Sequence, residues 1–387
     1  MDESIDIKEE AMTGIQTEAE ACTVEEVQES TPEIPYADAA EVRRGARAFS
    51  RVALALVVFS LLATVTAALI MTVGRHLLDS FDTRISDKIF GSVYFSAAMQ
   101  VLLAYGICFW GYRLALVGMP VHRVEKRTIP VKKFLLIAVV AIGATQVAAT
   151  AASFIDGIIS AITPGDDGLV LFDNSPLWVN LLITVILAPI FEELMFRRLM
   201  FDRISKYGDV LAIIFTSVAF GIFHGNLYQF IYTTVVGAVI GYSYAISRRI
   251  IYPILLHMML NLYASLPTVF DSIFGGAGLG ENLSELNAAE ALAAVGSIVT
   301  YLLYSMLSLG FVGGAVAIVI VVLVKRKLEI PKNGEVRLTG FGISRAVILN
   351  VGCMIFATLG LYDFTVYYAT SDPIFDALAG LLKGLIG

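Results

Sequence analysis

Charge is what this sequence has least of. Only 16% of its 387 residues are Asp, Glu, Lys or Arg, against roughly 25% in an average soluble protein. That scarcity excludes a string of water-facing domains. Cysteine is almost missing too. Cys22, Cys108 and Cys353 stand far apart, so neither a disulfide framework nor a paired-cysteine metal motif can be built from them. No internal repeat is visible, which removes the usual support for an inverted-repeat transporter. Nothing in the chain points to a nucleic-acid partner. What is present instead is apolar length. Hydrophobic residues make up 57% of the chain, mean hydropathy is +0.77, and runs of about 20 apolar residues, the bilayer-spanning length, recur along it. The expected fold class is all-α: a multi-pass transmembrane helix bundle with the lipid bilayer as its surroundings.

The formal net charge of −7 hides two regions of opposite sign. Residues 1–42 hold 13 acids and one lysine, and the rest of the chain holds 21 acids and 26 bases. The acidic head has few aromatics and no sustained apolar period, so it reads as a disordered, solvated cytoplasmic tail. It also lacks the basic start and apolar core of a signal peptide. Residues 43–387 form the expected transmembrane domain.

About nine spans are expected, near 52–73, 90–112, 134–155, 177–196, 210–225, 227–247, 251–266, 292–324 and 346–362. The eighth is long for a ~30 Å hydrocarbon core and should tilt or protrude. Basic residues orient such a bundle. Twenty-two fall before the first span or in alternate loops, and only Arg75, Arg84, Lys88 and Lys383 fall on the other side. The reading is an integral protein of a bacterial-type plasma membrane, N-terminus cytoplasmic and C-terminus outside. Gly237/Gly241 and Gly310/Gly314 are small-residue pairs at the spacing that lets helices pack closely.

Ionisable groups inside an apolar helix are costly, so they mark where function is sought. They gather between residues 177 and 261. The fourth span ends in APIFEELMFRR, where Glu193 and Arg197 share a helix face in the better order for an ion pair and Glu192 points elsewhere. The fifth span ends in AFGIFHGN, with Phe220 and His224 four apart. The seventh reads YPILLHMMLNLY, with His257 and Asn261 four apart. A surface ion pair, an interfacial histidine and a helix–helix hydrogen bond would each explain one motif alone. Together they supply a general base, its partner and oxyanion donors, or a carboxylate and two histidines for a zinc ion.

EELMFR (Glu192–Arg197), FGIFH (Phe220–His224) and HMMLN (His257–Asn261) resemble, in order, the EExxxR, FxxxH and HxxxN/D motifs of the CaaX protease and bacteriocin-processing family, CPBP or Abi. The resemblance covers about residues 177–266. It implies an intramembrane endopeptidase acting on a membrane-associated peptide or protein. By motif position Glu192 would activate water, His224 would hold that water, and His257 and Asn261 would stabilise the oxyanion. Arg197 would pair with Glu193, with Phe220 beside the imidazole. No cofactor is needed in that scheme; a zinc enzyme would use Glu192, His224 and His257. The rival functions are a non-catalytic scaffold or bacteriocin-immunity protein, and a proton-coupled transporter. The oligomeric state has no signature in the sequence.

One geometrical conflict accompanies this reading. At 1.5 Å per residue, Glu192 lies ~22 Å from the outer start of its span, while His224 lies ~21 Å from the inner end of the next. They meet only if the 204–209 turn is sunken, Pro189 shifts the frame, or the helix ends differ from those expected. His257, ~9 Å from the inner face, agrees with Glu192, and a cavity open to the cytoplasmic half is expected.

Overall fold

The computed structural model describes residues 34–162, 176–274, 288–325, 333–368 and 380–384. The chain divides into two units, Met1–Pro35 and Tyr36–Gly387, and the bundle is the second. Its helices are α1 (Ala39–Asp79), α2 (Thr83–Phe90), α3 (Val93–Ala115), α4 (Val131–Ile162), α5 (Leu177–Tyr207), α6 (Asp209–Phe223), α7 (Leu227–Ser247), α8 (Ile251–Phe274), α9 (Ala288–Val324), α10 (Gly340–Ile348) and α11 (Val351–Tyr367). Among the described residues the one β element is an isolated bridge between Tyr36 and Arg337. The all-α reading therefore holds.

Each expected span contains a helix, with three differences. Among the described residues seven helices are long and apolar enough to cross a membrane, or eight if a bent pair is one span. α6, the expected fifth span, has only 15 residues. The ninth is the bent pair, α10 and α11, which meet at 60°. The chain breaks there because the Asn350 side chain accepts from the Cys353 N–H at 2.9 Å and starts a fresh helix, as a polar N-cap does. At the other extreme α9 runs for 37 residues, ~55 Å of helix against a ~30 Å hydrocarbon core.

The expected acidic tail lies mostly outside the described residues, and its last part is corrected. The Asp38 side chain accepts from the Glu41 N–H at 2.6 Å and caps α1, so residues 39–42 are helical. Glu41 is buried, bound to Arg44 at 2.5 Å, to Lys206 Nζ at 2.9 Å and to the Tyr207 hydroxyl at 3.1 Å. A residue that reads as part of a solvated head is an internal anchor.

Glycine sets the closest helix approaches. Gly237 on α7 faces Ser217 and Phe220 of α6, where a Cβ would stand 3.0 Å from the Ser217 backbone. Gly241 meets Ile213 more loosely, and Gly310 has nothing within 4 Å. The tightest crossing of α4 and α9 uses Gly143, which the spacing of small residues does not single out. A Cβ there would lie 2.6 Å from both the Ala315 Cβ and the Phe311 carbonyl oxygen.

The basic loops converge at one end of the bundle. The Arg127 N–H donates to the Ser247 carbonyl at 2.8 Å, and the His122 N–H to the Asp202 carbonyl at 2.7 Å. Arg248, left-handed at φ 53°, ends α7 and reaches Asp209, Asp202 and Ser205. The turn between α5 and α6 is clasped from outside as well. Glu335 and Val336 N–H donate to the Lys206 carbonyl, and Asn333 Nδ2 donates to Asp209 at 2.8 Å.

Two outcomes follow from this packing. Gly143→Val should lower thermal stability by about 1–3 kcal/mol through overpacking, whereas Gly310→Val should leave it nearly unchanged; equal unfolding temperatures for the two would contradict the crossing. Burial lowers the His122 imidazole below its ordinary range, although Glu335, 3.8 Å away, and Asp209 and Asp202 pull upward while Arg248 pushes down. Below about pH 6.5 the unfolded chain binds a proton that the folded chain refuses, so stability should fall as pH drops from 7 to 5.5. His122→Asn should flatten that slope, as read from unfolding temperatures at the two pH values.

Candidate active site

α5 carries its proline without breaking. Pro189 has no N–H to give the preceding turn, and the helix answers by widening into π-type turns over Leu182–Leu187; a second π-type stretch, Leu194–Phe201, follows the proline. The Ala188 N–H bonds the Ile183 carbonyl, five residues back. In that register the Thr184 carbonyl would be served by residue 189, which has no hydrogen to offer. Asn261 Nδ2 of α8 donates to it instead, at 2.7 Å. A backbone acceptor left open in an apolar interior costs free energy, and here it becomes the link between α5 and α8. Asn261 is thus braced through its amide.

The turn after Pro189 holds the charges. Glu193 and Arg197 are both fully buried, with Arg197 Nε 3.1 Å from Glu193 Oε2, a close charge contact whose alignment falls short of a hydrogen bond. Arg197 also donates through Nη2 to the Gly237 carbonyl at 3.2 Å and stands over the Phe220 ring, 5.8 Å from its centroid. The other Glu193 oxygen lies 2.9 Å from His257 Nδ1. His257 Nε2 then faces Glu192 Oε2 at 3.7 Å. Consecutive glutamates of one helix therefore reach opposite nitrogens of one imidazole. The arrangement fixes the tautomer: Nδ1–H donates to Glu193, and Nε2 is the working nitrogen.

His224 reaches the same place from α6. Its Nδ1 lies 2.7 Å from the Phe220 carbonyl oxygen, so Nδ1–H donates there and Nε2 keeps its lone pair. Gly225, at φ +71°, allows the sharp turn after it, and Asn226 caps α7 by accepting from the Gln229 N–H at 2.8 Å. The Phe220 ring stands edge-on to both imidazoles, with centroids 4.6 Å from His224 and 5.7 Å from His257. His224 interacts electrostatically with both Glu192 and His257. Glu192 keeps 18% of its side chain exposed where Glu193 keeps 0% and His257 5%, so it is the carboxylate open to a reactant.

The depth conflict resolves through the helix ends. α5 runs on to Tyr207, beyond the expected end at 196. Tyr207 is fifteen residues past Glu192, and His224 is fifteen past Asp209, the first residue of α6. Measured from their shared turn, both lie ~22 Å up the hairpin.

Residues 174–263 match the family model described as type II CAAX prenyl endopeptidase Rce1-like. They contain every residue of the site just described. Over those residues the chain is similar to the CPBP family. The chain is also similar to YdiL of Bacillus subtilis (strain 168), which bears the name of a membrane peptidase, with 33% identity over 84 residues. That stretch is 21% of this chain and 34% of YdiL, so the chain spans about a third of the relative it matches. No solved structure matches.

Two residues near this candidate site carry no motif signal. Tyr105 of α3 stacks on Phe191, centroids 4.4 Å apart, and lies within electrostatic reach of Glu192. Tyr232 of α7 is likewise within electrostatic reach of Glu192. Tyr105 lies outside the matched segment, and eight residues separate Tyr232 from His224. Among the described residues no three His, Cys, Asp or Glu side chains converge to hold a metal ion. The donor set Glu192, His224 and His257 does not form such a cluster as placed.

The buried pair makes a direct prediction. Arg197→Met should destabilise the protein by about 3–5 kcal/mol, because it strands the Glu193 charge. The double variant Glu193→Gln/Arg197→Met should recover part of that loss. Additive losses in thermal unfolding would mean that the two charges do not compensate each other.

Proposed function

We propose that this CPBP-like core is an intramembrane endopeptidase that hydrolyses a peptide bond in a membrane-associated peptide or protein, with Glu192 as general base. The observation that carries this is the partly open Glu192 carboxylate beside the Nε2 of a histidine held from behind by a buried glutamate–arginine pair. In this reading a water molecule sits between Glu192 and Nε2 of His224. Glu192 takes its proton as the oxygen attacks the substrate carbonyl, and the proton then passes to the leaving amine. His257, its Nδ1–H resting on Glu193, donates from Nε2 to the oxyanion when it carries its second proton. Asn261 gives one amide hydrogen to Thr184 and keeps the other for the same oxygen. Fixed donors of this kind contribute several kcal/mol to barrier lowering.

Each step uses side chains of this chain alone, and the scheme is metal-independent. The convergence of basic loops at one end of the bundle supports an orientation with that end, and the N-terminus, on the cytoplasmic side of a bacterial-type plasma membrane.

The test compares newly created peptide termini in membranes holding equal amounts of wild type or Glu192→Gln. Termini made by the wild type should fall by about 10²–10⁴-fold in the variant, the range for losing a general base. Identical profiles would replace the peptidase with a non-catalytic scaffold that keeps the motifs. Survival of full activity after metal chelation is the second expected result, and its loss would restore the zinc alternative.

A further inference from the structure

A chain cut inside a bilayer brings polar backbone with it. In a helix that backbone is engaged internally, so the reacting stretch has to be extended, and each of its carbonyl and N–H groups then needs a partner away from water. Peptide-binding domains built on sheets supply such partners from a strand edge. Among the described residues this bundle has only the isolated bridge between Tyr36 and Arg337, and the backbone of a membrane helix is spent within the helix. The partners for a substrate must come from side chains.

Tyr105 fits that role. It lies in a π-type stretch of α3, Leu102–Cys108, after which the Phe109 N–H bonds the Ala104 carbonyl five residues back. Such turns are rare and are frequent at functional sites. Here the wide turn sets Tyr105 and Phe109 on one face, and both meet Phe191. Tyr105 stacks on it with the ring planes 16° apart, and Phe109 meets it edge-on with centroids 5.1 Å apart. Phe191 immediately precedes Glu192, so the phenol is held against the turn that carries the proposed base.

The ring is fixed, yet among the described residues the Tyr105 hydroxyl makes no hydrogen bond. Other buried tyrosines of the bundle use theirs, as buried tyrosines ordinarily do: Tyr112 donates to the Met195 carbonyl, Tyr207 to Glu41 and Tyr244 to Asp202. Glu192 has no close partner of its own, its contact with His257 being 3.7 Å long. An open phenol and an open carboxylate therefore stand within electrostatic reach of each other.

We propose that Tyr105 is a substrate-binding residue, its hydroxyl donating to a backbone carbonyl of the extended substrate beside the bond that Glu192 hydrolyses. This rests on the peptidase reading and adds to it a residue outside the segment that matches the family model. The carbonyl it holds is not the reacting one, so the bond is the same in ground and transition states, and its loss should appear in KM with kcat unchanged.

The experiment uses the full chain purified in detergent and a synthetic peptide copied from the sequence around the most abundant terminus that wild-type membranes produce and Glu192→Gln membranes lack. Tyr105→Phe keeps the stack on Phe191 and removes only the hydroxyl. It should raise KM about five- to tenfold, the worth of one hydrogen bond, with kcat and the unfolding temperature as in the wild type. Replacing Tyr105 by 4-aminophenylalanine, which restores a donor at the ring tip, should recover most of the lost affinity. Tyr301→Phe, at an exposed position of α9, should leave both constants alone. A wild-type KM in Tyr105→Phe, or a loss confined to kcat, would make the tyrosine a packing residue and overturn the proposal while the peptidase reading stands. An absence of termini that depend on Glu192 would overturn both.

Discussion

The structure depends on one ion pair with no access to water. Glu193 and Arg197 are both fully buried, in a bundle whose interior is mostly apolar. Either charge alone would be untenable there, because desolvation of a single ion costs several kcal/mol and more. Paired on adjacent turns of α5 they are nearly neutral as a unit, and each has one further contact to give. Arg197 gives its to the Gly237 carbonyl, so α7 must come close enough to be reached. Glycine at 237 is what permits that approach, with Ser217 and Phe220 pressed against it. Glu193 gives its second oxygen to His257 and so draws in α8. Three helices are located by two side chains that none of them could bury singly.

Pro189 adds a constraint of a different kind. It deprives α5 of one backbone donor, and the Asn261 amide takes that donor's place. His257 and Asn261 are one turn apart on α8, and α5 holds both, one through a carboxylate and one through a peptide carbonyl. α8 therefore has little freedom to rotate or slide against α5. The proposed peptidase would need these groups held to within a fraction of an ångström, and the contacts that would do so are polar ones in an interior where polar contacts are scarce and therefore selective.

Much of this was legible in the sequence. The apolar runs located every transmembrane helix, and the Glu193–Arg197 pairing followed from helical spacing. The grouping of Glu192, His224 and His257 was visible because ionisable residues stand out against so apolar a background. What escaped were features without a local pattern. Arg197 and Arg198 look like a membrane boundary and put the end of α5 at residue 196, yet Arg197 is an interior residue with its charge matched. Glu41 was read with an acidic run because nothing nearby shows that Lys206 and Tyr207, more than 160 residues away, would receive it. Tyr105 and Tyr232 carry no sequence signal because a tyrosine in an apolar helix looks like any other packing residue. The Asn261–Thr184 bond depends on a π-type register that no periodicity announces.

The hairpin of α5 and α6 has a mechanical consequence. Glu192 and His224 sit equal distances from its bend, and that bend is fastened by Glu41 from the start of the bundle and by residues 333–336 from near its end. Like the tines of a fork gripped at the handle, the two arms carry their tips together. A shift at the grip would translate base and histidine as a pair and leave their spacing alone. His257 belongs to a separate hairpin, so the 3.7 Å gap between it and Glu192 is the coordinate along which the proposed catalytic centre would open or close.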